Sequence, residues 1–188
     1  MRYKSQKSAI MTGRPRQPEI ARMLDVKLRE VRDDDLPIFF ENNRDPEAVR
    51  MAAFTSKDPD DRAAFDAHWA RIRAADDVLN RTIEVDHRVA GSVSSYVMDG
   101  NTEVTYWLGR EFWGRGLATA ALAAFLREQT VRPLYARAAK DNAGSLRVLQ
   151  KCGFTIIGED KGYANGRGEE IEEFVLMRME DPDERSDQ

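Results

Sequence analysis

The segment Tyr106-Trp-Leu-Gly-Arg-Glu-Phe-Trp-Gly-Arg-Gly-Leu-Ala-Thr119 constrains this chain more than any other part of it. A β-rich stretch from Glu103 ends at Leu108, and the chain then turns through Gly114 and Gly116. A helix is expected from Gly116 to about Glu128, with Leu117, Ala121, Leu122, Phe125 and Leu126 on one face. Glycine lets the main chain adopt positive φ and approach a ligand closely. The first turn of a helix carries unpaired N–H groups and about half a unit of positive charge. A strand that feeds such a turn is therefore an anion site suited to phosphate or diphosphate.

Two common phosphate-binding designs do not fit. A dinucleotide fold wants Gly-x-Gly-x-x-Gly/Ala at the opening of a βαβ unit, and here the sixth position is Thr119 after several strands that read as antiparallel. A P-loop ends in Gly-Lys-Ser/Thr, which is absent. The diphosphate of an acyl-CoA is the remaining candidate.

The 188 residues suffice for one domain with a real core, and 41% are hydrophobic and 33% charged, too apolar for a disordered chain. Three segments are expected: a flexible basic N-terminal tail over 1–22, a single domain over 23–180, and an acidic C-terminal tail over 181–188. The body between the tails is mildly acidic, which argues against a nucleic-acid partner. The longest nearly apolar run, Leu117 to Leu126, is too short for the ~20 residues of a membrane span. No secretion signal is visible, so a cytoplasmic location is expected. Cys152 is the single cysteine, and with only His68 and His87 beside it neither a disulfide framework nor a metal centre is expected.

The pattern predicts a mixed α+β fold. Strands are expected over Val26–Val31, Arg81–Val85, Val89–Met98, Glu103–Leu108, Leu134–Ala139, Phe154–Gly158 and Glu172–Met179. Helices are expected after Asp33-Asp34-Asp35, after Pro59-Asp60-Asp61, from Gly116, and from Asn142 to Lys151, where Gly153 stops the last. Turn signals at Asp86-His87-Arg88 and Asp99-Gly100-Asn101 make the middle strands consecutive hairpins. A loop is expected over Asp160 to Gly168.

Two motifs, in this order and separation, resemble the GNAT superfamily of N-acetyltransferases, in particular its ribosomal-protein-alanine acetyltransferase-like branch. Trp113-Gly-Arg-Gly-Leu-Ala118 looks like the family's Gln/Arg-x-x-Gly-x-Gly/Ala cofactor loop, and Asp141-Asn-Ala-Gly-Ser-Leu-Arg-Val-Leu-Gln-Lys-Cys-Gly-Phe154 like its Asn-x-x-Ser helix ending in Gly-Phe. The close match covers about residues 104–158. The resemblance implies a central mixed, mostly antiparallel, twisted sheet flanked by helices. It further implies transfer of an acetyl group from acetyl-CoA to a primary amine, either a protein N-terminus or a small molecule, and is compatible with a homodimer. A catalytically silent acyl-CoA-binding module is the alternative. Its motivation is Leu149, which stands where many members carry a tyrosine that protonates the leaving thiolate.

The resemblance also implies roles for single residues. Main-chain groups of Trp107, Leu108 and Gly109 would hold the oxyanion. Trp113, Gly114, Arg115, Gly116, Leu117, Ala118 and Thr119 would hold the cofactor, with the departure from the family pattern at Trp113. Asn142 would bond the pantetheine arm, and Ser145 would contact the cofactor or act as the acid. Glu103, on the strand that feeds the site, is the expected base, with Glu111 in reserve. An amine must be neutral to attack, and a primary alkylamine has a pKa near ~10, so a base or a desolvating pocket is required. The acceptor is expected between Asn43 to Asp58 and Asp160 to Gly168.

Overall fold

The computed structural model describes residues 25–179; both expected tails lie outside the described residues. Among the described residues seven strands form one sheet: β1 (Val26–Arg29), β2 (Leu79–Val85), β3 (Arg88–Met98), β4 (Asn101–Leu108), β5 (Leu134–Ala139), β6 (Thr155–Ala164) and β7 (Glu169–Arg178). Their spatial order is β1-β2-β3-β4-β5-β7-β6. Every neighbouring pair is antiparallel except β4–β5, which is parallel. The expected mixed, mostly antiparallel sheet is what forms. Both middle hairpins close as the turn signals require, with positive φ at Asp86 and His87 and at Asp99 and Gly100.

The helices divide between the two faces. On one face lie α4 (Leu117–Glu128) and α5 (Ala143–Lys151). They enclose the main core, in which Leu117, Leu122, Phe125 and Leu149 meet Val93, Val104, Leu134 and Leu176 of the sheet. On the other face lie α1 (Leu36–Arg44), α2 (Pro46–Ala52) and α3 (Arg62–Ala74). There Phe39, Phe40, Phe65 and Trp69 stack with ring centroids 5.0 to 6.2 Å apart. The expected start of α3 is confirmed by the Asp61 carboxylate, which accepts from the Ala64 N–H at 2.9 Å.

Three expectations need correction. β1 stops at Arg29 and Asp33–Asp35 forms a short 3-10 turn in place of a capped helix start. The Asp35 carboxylate instead turns inward, accepting from Arg29 Nη1 and Nη2 at 2.7 and 2.8 Å, from Thr82 Oγ1 at 2.7 Å and from the Arg32 N–H at 2.9 Å. Helix α2 escaped the sequence reading: Pro46 opens it, and Asp45 caps it by accepting from the Glu47 and Ala48 amides. Finally, Asp160 to Gly168 is mostly strand. β6 pairs with β7 all the way to Ala164↔Glu169, and that ladder overrides the loop preference of Gly162.

Candidate active site

The sheet opens at its centre. β4 and β5 pair only at Thr102↔Leu134 and Glu103↔Tyr135, although β4 continues to Leu108 and β5 to Ala139. Beyond Glu103 the strands diverge into a wedge. On its other side β4 stays in register with β3 to Gly91↔Leu108. A Cβ on Gly91 would lie 1.9 Å from the Trp107 carbonyl oxygen, so only glycine permits this approach. The Gly109 N–H donates to the Ala90 carbonyl at 2.9 Å. Main-chain groups alternate in direction along a strand, so the Trp107 and Gly109 amides face β3 and the Leu108 amide faces the wedge.

Past Leu108 the chain makes a 3-10 turn, Arg110–Phe112, and then the glycine loop. The Trp113 indole Nε1 donates to the Leu108 carbonyl at 2.9 Å, tying the loop to the end of β4. Gly114 and Gly116 have φ of 71° and 77°, the left-handed region that favours glycine. Among the described residues no amide from Gly114 to Thr119 finds an acceptor; the series of helical bonds begins with Ala120 N–H to the Gly116 carbonyl at 3.1 Å. A Cβ built on Gly114 or Gly116 meets no atom within 4 Å. This is a main-chain cradle at a helix N-terminus, and its donor set fits a diphosphate. Leu117 is buried and anchors the cradle from below, while Arg115 is exposed beside it. Ala118 and Thr119 complete the first helical turn.

Across the wedge stands the start of α5. Asn142 is its N-cap, and its Oδ1 accepts from the Ser145 N–H at 3.0 Å. Its Nδ2 donates to the Met51 carbonyl of α2 at 2.9 Å, so both ends of the amide are engaged within the protein. The Ser145 hydroxyl lies 2.8 Å from the Tyr106 hydroxyl of β4. Burial pushes the Tyr106 phenol up to about 12, so it stays neutral. Leu149 is 1% exposed and belongs to the core. Cys152 is also buried; burial pushes its thiol up to about 11, and Sγ lies 3.6 Å from the Thr119 carbonyl, an inert arrangement.

Glu103 points to the opposite face of the sheet. It is only 5% exposed, and its Oε1 accepts from Arg137 Nε at 3.2 Å. Arg137 Nη1 also reaches Asp160 at 2.8 Å and Glu173 at 2.9 Å. Burial raises the Glu173 carboxyl above the ordinary range, with Arg137 pulling the other way. The bond to Arg137 holds Asp160 below that range. Trp107 shares this face, and its indole donates to the Asn42 carbonyl of α1 at 3.1 Å. Glu111 is exposed and lies 3.7 Å from Arg88, at the surface.

The two expected acceptor segments are clamped together. The Ala53 carbonyl accepts from the Thr55 N–H at 3.0 Å and from the Gly166 N–H at 2.8 Å. Asn165 Nδ2 donates to the Thr55 carbonyl at 2.8 Å, and Arg167 grips Asp141 with two bonds of 2.9 Å. Ala53 is fully buried with φ of 64°, a left-handed conformation rare outside glycine. Its position at this junction is held by the bonds of both segments. Sequence reasoning missed Arg137 and Glu173, because nothing in their spacing shows which strands become neighbours.

A strand pair that opens beside a glycine-started helix is the framework of an acyl-group transferase. The chain belongs to the acetyltransferase (GNAT) domain family, whose model matches residues 25–155, and acetyl-CoA is its co-substrate. Similar solved structures include Mycobacterium smegmatis RimJ in complex with CoA-disulfide, 23% identical with a TM-score of 0.72, covering 87% of this chain and 84% of that one. They include the ribosomal-protein-alanine N-acetyltransferase of Brucella melitensis, 21% identical with a TM-score of 0.68, covering 82% and 99%. They also include the spermidine N-acetyltransferase of Vibrio cholerae in complex with CoA and spermine, 15% identical with a TM-score of 0.68, covering 81% and 95%. At these identities the likeness establishes the fold. No curated protein matches the sequence significantly. Among the described residues no helix is long and apolar enough to cross a membrane, and no group of three or more His, Cys, Asp or Glu side chains could hold a metal ion.

Proposed function

We propose that the protein moves the acetyl group of acetyl-CoA directly to a primary amine, a protein N-terminus or a small molecule, as a single-domain cytoplasmic enzyme. The observation that carries this reading is the run of amides from Gly114 to Thr119 without acceptors, set beside the β4–β5 wedge. These amides bind the diphosphate, and Arg115 adds charge at the rim. Leu117 buries the helix start that holds them in place. The wedge between Leu108 and α5 takes the pantetheine arm, with Asn142 setting the position of α5.

The Leu108 amide, directed into the wedge, stabilises the oxyanion as the amine nitrogen bonds to the acetyl carbon. Trp107 and Gly109 act by fixing β4 against β3, which aims that amide. Glu103 accepts the proton released by the amine, through a water, from the opposite face. The carbon–sulfur bond then breaks, its electron pair passes to sulfur, and Ser145 donates to that sulfur. The parent thiol has a pKa near ~8.5, so the leaving group needs only modest help.

Glu103, Asp160 and Glu173 outnumber Arg137 on the acceptor face, which supports a cationic or neutral amine over an anionic one. The branch resemblance, together with ribosomal-protein-alanine acetyltransferases among the fold neighbours, supports a protein N-terminal amine. The second reading, a silent acyl-CoA-binding module, rests on buried Leu149 where a tyrosine acid is common. Calorimetric titration with acetyl-CoA, followed by a free-thiol assay across N-terminal peptides, polyamines and amino acids, decides between them. Micromolar binding with turnover is expected. Binding without turnover across the panel selects the second reading, and no binding overturns both.

A further inference from the structure

We propose that Tyr106 is a positioning residue for the acetyl transfer, acting through Ser145: its phenol donates to Ser145 Oγ and so leaves the serine's own proton to meet the departing sulfur. This deepens the reading above and rests on it. The two hydroxyl oxygens are 2.8 Å apart, and the Tyr106 oxygen is also 3.4 Å from the Ser145 carbonyl. Ser145 therefore supplies every acceptor the phenol has among the described residues. A phenol is the stronger donor and the weaker acceptor of the two hydroxyls. With the phenol donating to Oγ, the serine O–H turns away from it.

The location gives this contact a purpose. Tyr106 lies on the part of β4 that β5 has left, and Ser145 lies in the first turn of α5, so the pair bridges the wedge. Ser145 is fixed from the main-chain side by the Asn142 cap and from the side-chain side by Tyr106. Leu149, on the same helix, has no proton to give. No charged intermediate on the tyrosine is needed. The nitrogen–carbon bond forms and the carbon–sulfur bond breaks with its pair going to sulfur. Ser145 stabilises the thiolate by a hydrogen bond, and the thiolate takes its proton from water afterwards. The amine proton leaves by way of Glu103.

The test is a double-mutant cycle on the full chain with the best amine from the panel, using Tyr106→Phe, Ser145→Ala and the pair. Tyr106→Phe keeps the ring, so a melting temperature within a few degrees of wild type is expected. Its kcat is expected to fall about tenfold, the weight of one hydrogen bond, with the KM for acetyl-CoA within twofold. The double variant is expected to be no slower than Ser145→Ala alone, because residues that act as a unit are not additive. Ser145→Thr, which retains the hydroxyl, is expected to recover most of the rate lost in Ser145→Ala. A wild-type kcat for Tyr106→Phe, an effect confined to KM, or losses that multiply in the double variant would each overturn the proposal. Absence of turnover in the wild-type protein overturns the enzymatic reading and this inference with it, whereas a wild type that turns over beside an unaffected Tyr106→Phe overturns the inference alone.

Discussion

The Asn142 side chain donates to the Met51 carbonyl at 2.9 Å across ninety-one residues of sequence, so the helix that lines the donor wedge is bolted to the helix that borders the acceptor side. The same amide caps α5 through Ser145. Asn142→Ala removes both bonds. A loss of about 1–2 kcal/mol in urea unfolding is expected, at the upper end for a lost cap because the Met51 carbonyl also loses its partner. Asn142→Asp keeps the cap oxygen but cannot donate to Met51, so it should recover only part of the loss. If both variants unfold with the wild-type midpoint, the two bonds do not hold these helices together.

Gly116 tests the donor cradle. Its φ of 77° costs any L-residue about 1–2 kcal/mol, and a side chain there would enter the open space at the start of the helix that carries the free amides. Gly116→Val is expected to weaken acetyl-CoA binding at least tenfold by calorimetry and to abolish the thermal shift on adding the donor. The fold itself should persist, because a Cβ meets no protein atom within 4 Å. Unchanged affinity would place the diphosphate elsewhere.

Much of the fold was legible because it rests on local signals. Asp86-His87 and Asp99-Gly100 dictate tight turns, the Leu117 to Leu126 stripe dictates a core helix, and Asn142 dictates a helix start. The glycine loop was legible for the same reason. What was not legible depends on partners far away in sequence. Asp35 looked like a cap until Arg29 and Thr82 came to meet it, and Asp160 looked like loop until β7 paired with it. Glu103 was expected as the base from its strand alone; its burial against Arg137 follows from β4 and β5 being neighbours, which no spacing reveals. The Gly109 amide, one of three expected to face the donor, is turned toward Ala90 by the alternation of the β3–β4 ladder.

Glu103→Gln separates chemistry from packing. Gln is isosteric, and Arg137 keeps Asp160 and Glu173, so the sheet is expected to survive. Loss of the base should lower kcat about a hundredfold and alter the rise of rate with pH. A variant that keeps the wild-type rate and pH profile would remove Glu103 from the proton path and turn attention to Glu173, whose carboxyl burial has already raised.

The buried pair of Asp35 with Arg29 sets an acid limit on stability. Burial alone would raise the Asp35 carboxyl, but Arg29, the Arg32 amide and Thr82 outweigh it, and its pKa is lowered in the folded protein. A lowered carboxylate pKa contributes stability at every pH above the unfolded value of ~3.9, and that contribution is lost as pH falls through the lower folded value. Asp35→Asn leaves Arg29 with Glu84 as its remaining carboxylate, 3.0 Å away, and breaks the bond that fixes β1 to the first turn. A loss of about 3 kcal/mol is expected at pH 7, the lower end for removing one partner of a buried ion pair. The gap between wild type and variant, measured by urea unfolding, should narrow below about pH 4, because acid then protonates Asp35 in the wild-type unfolded chain first. A gap of the same size at pH 3 and pH 7 would show that Asp35 acts through shape and hydrogen bonding with no contribution from its charge.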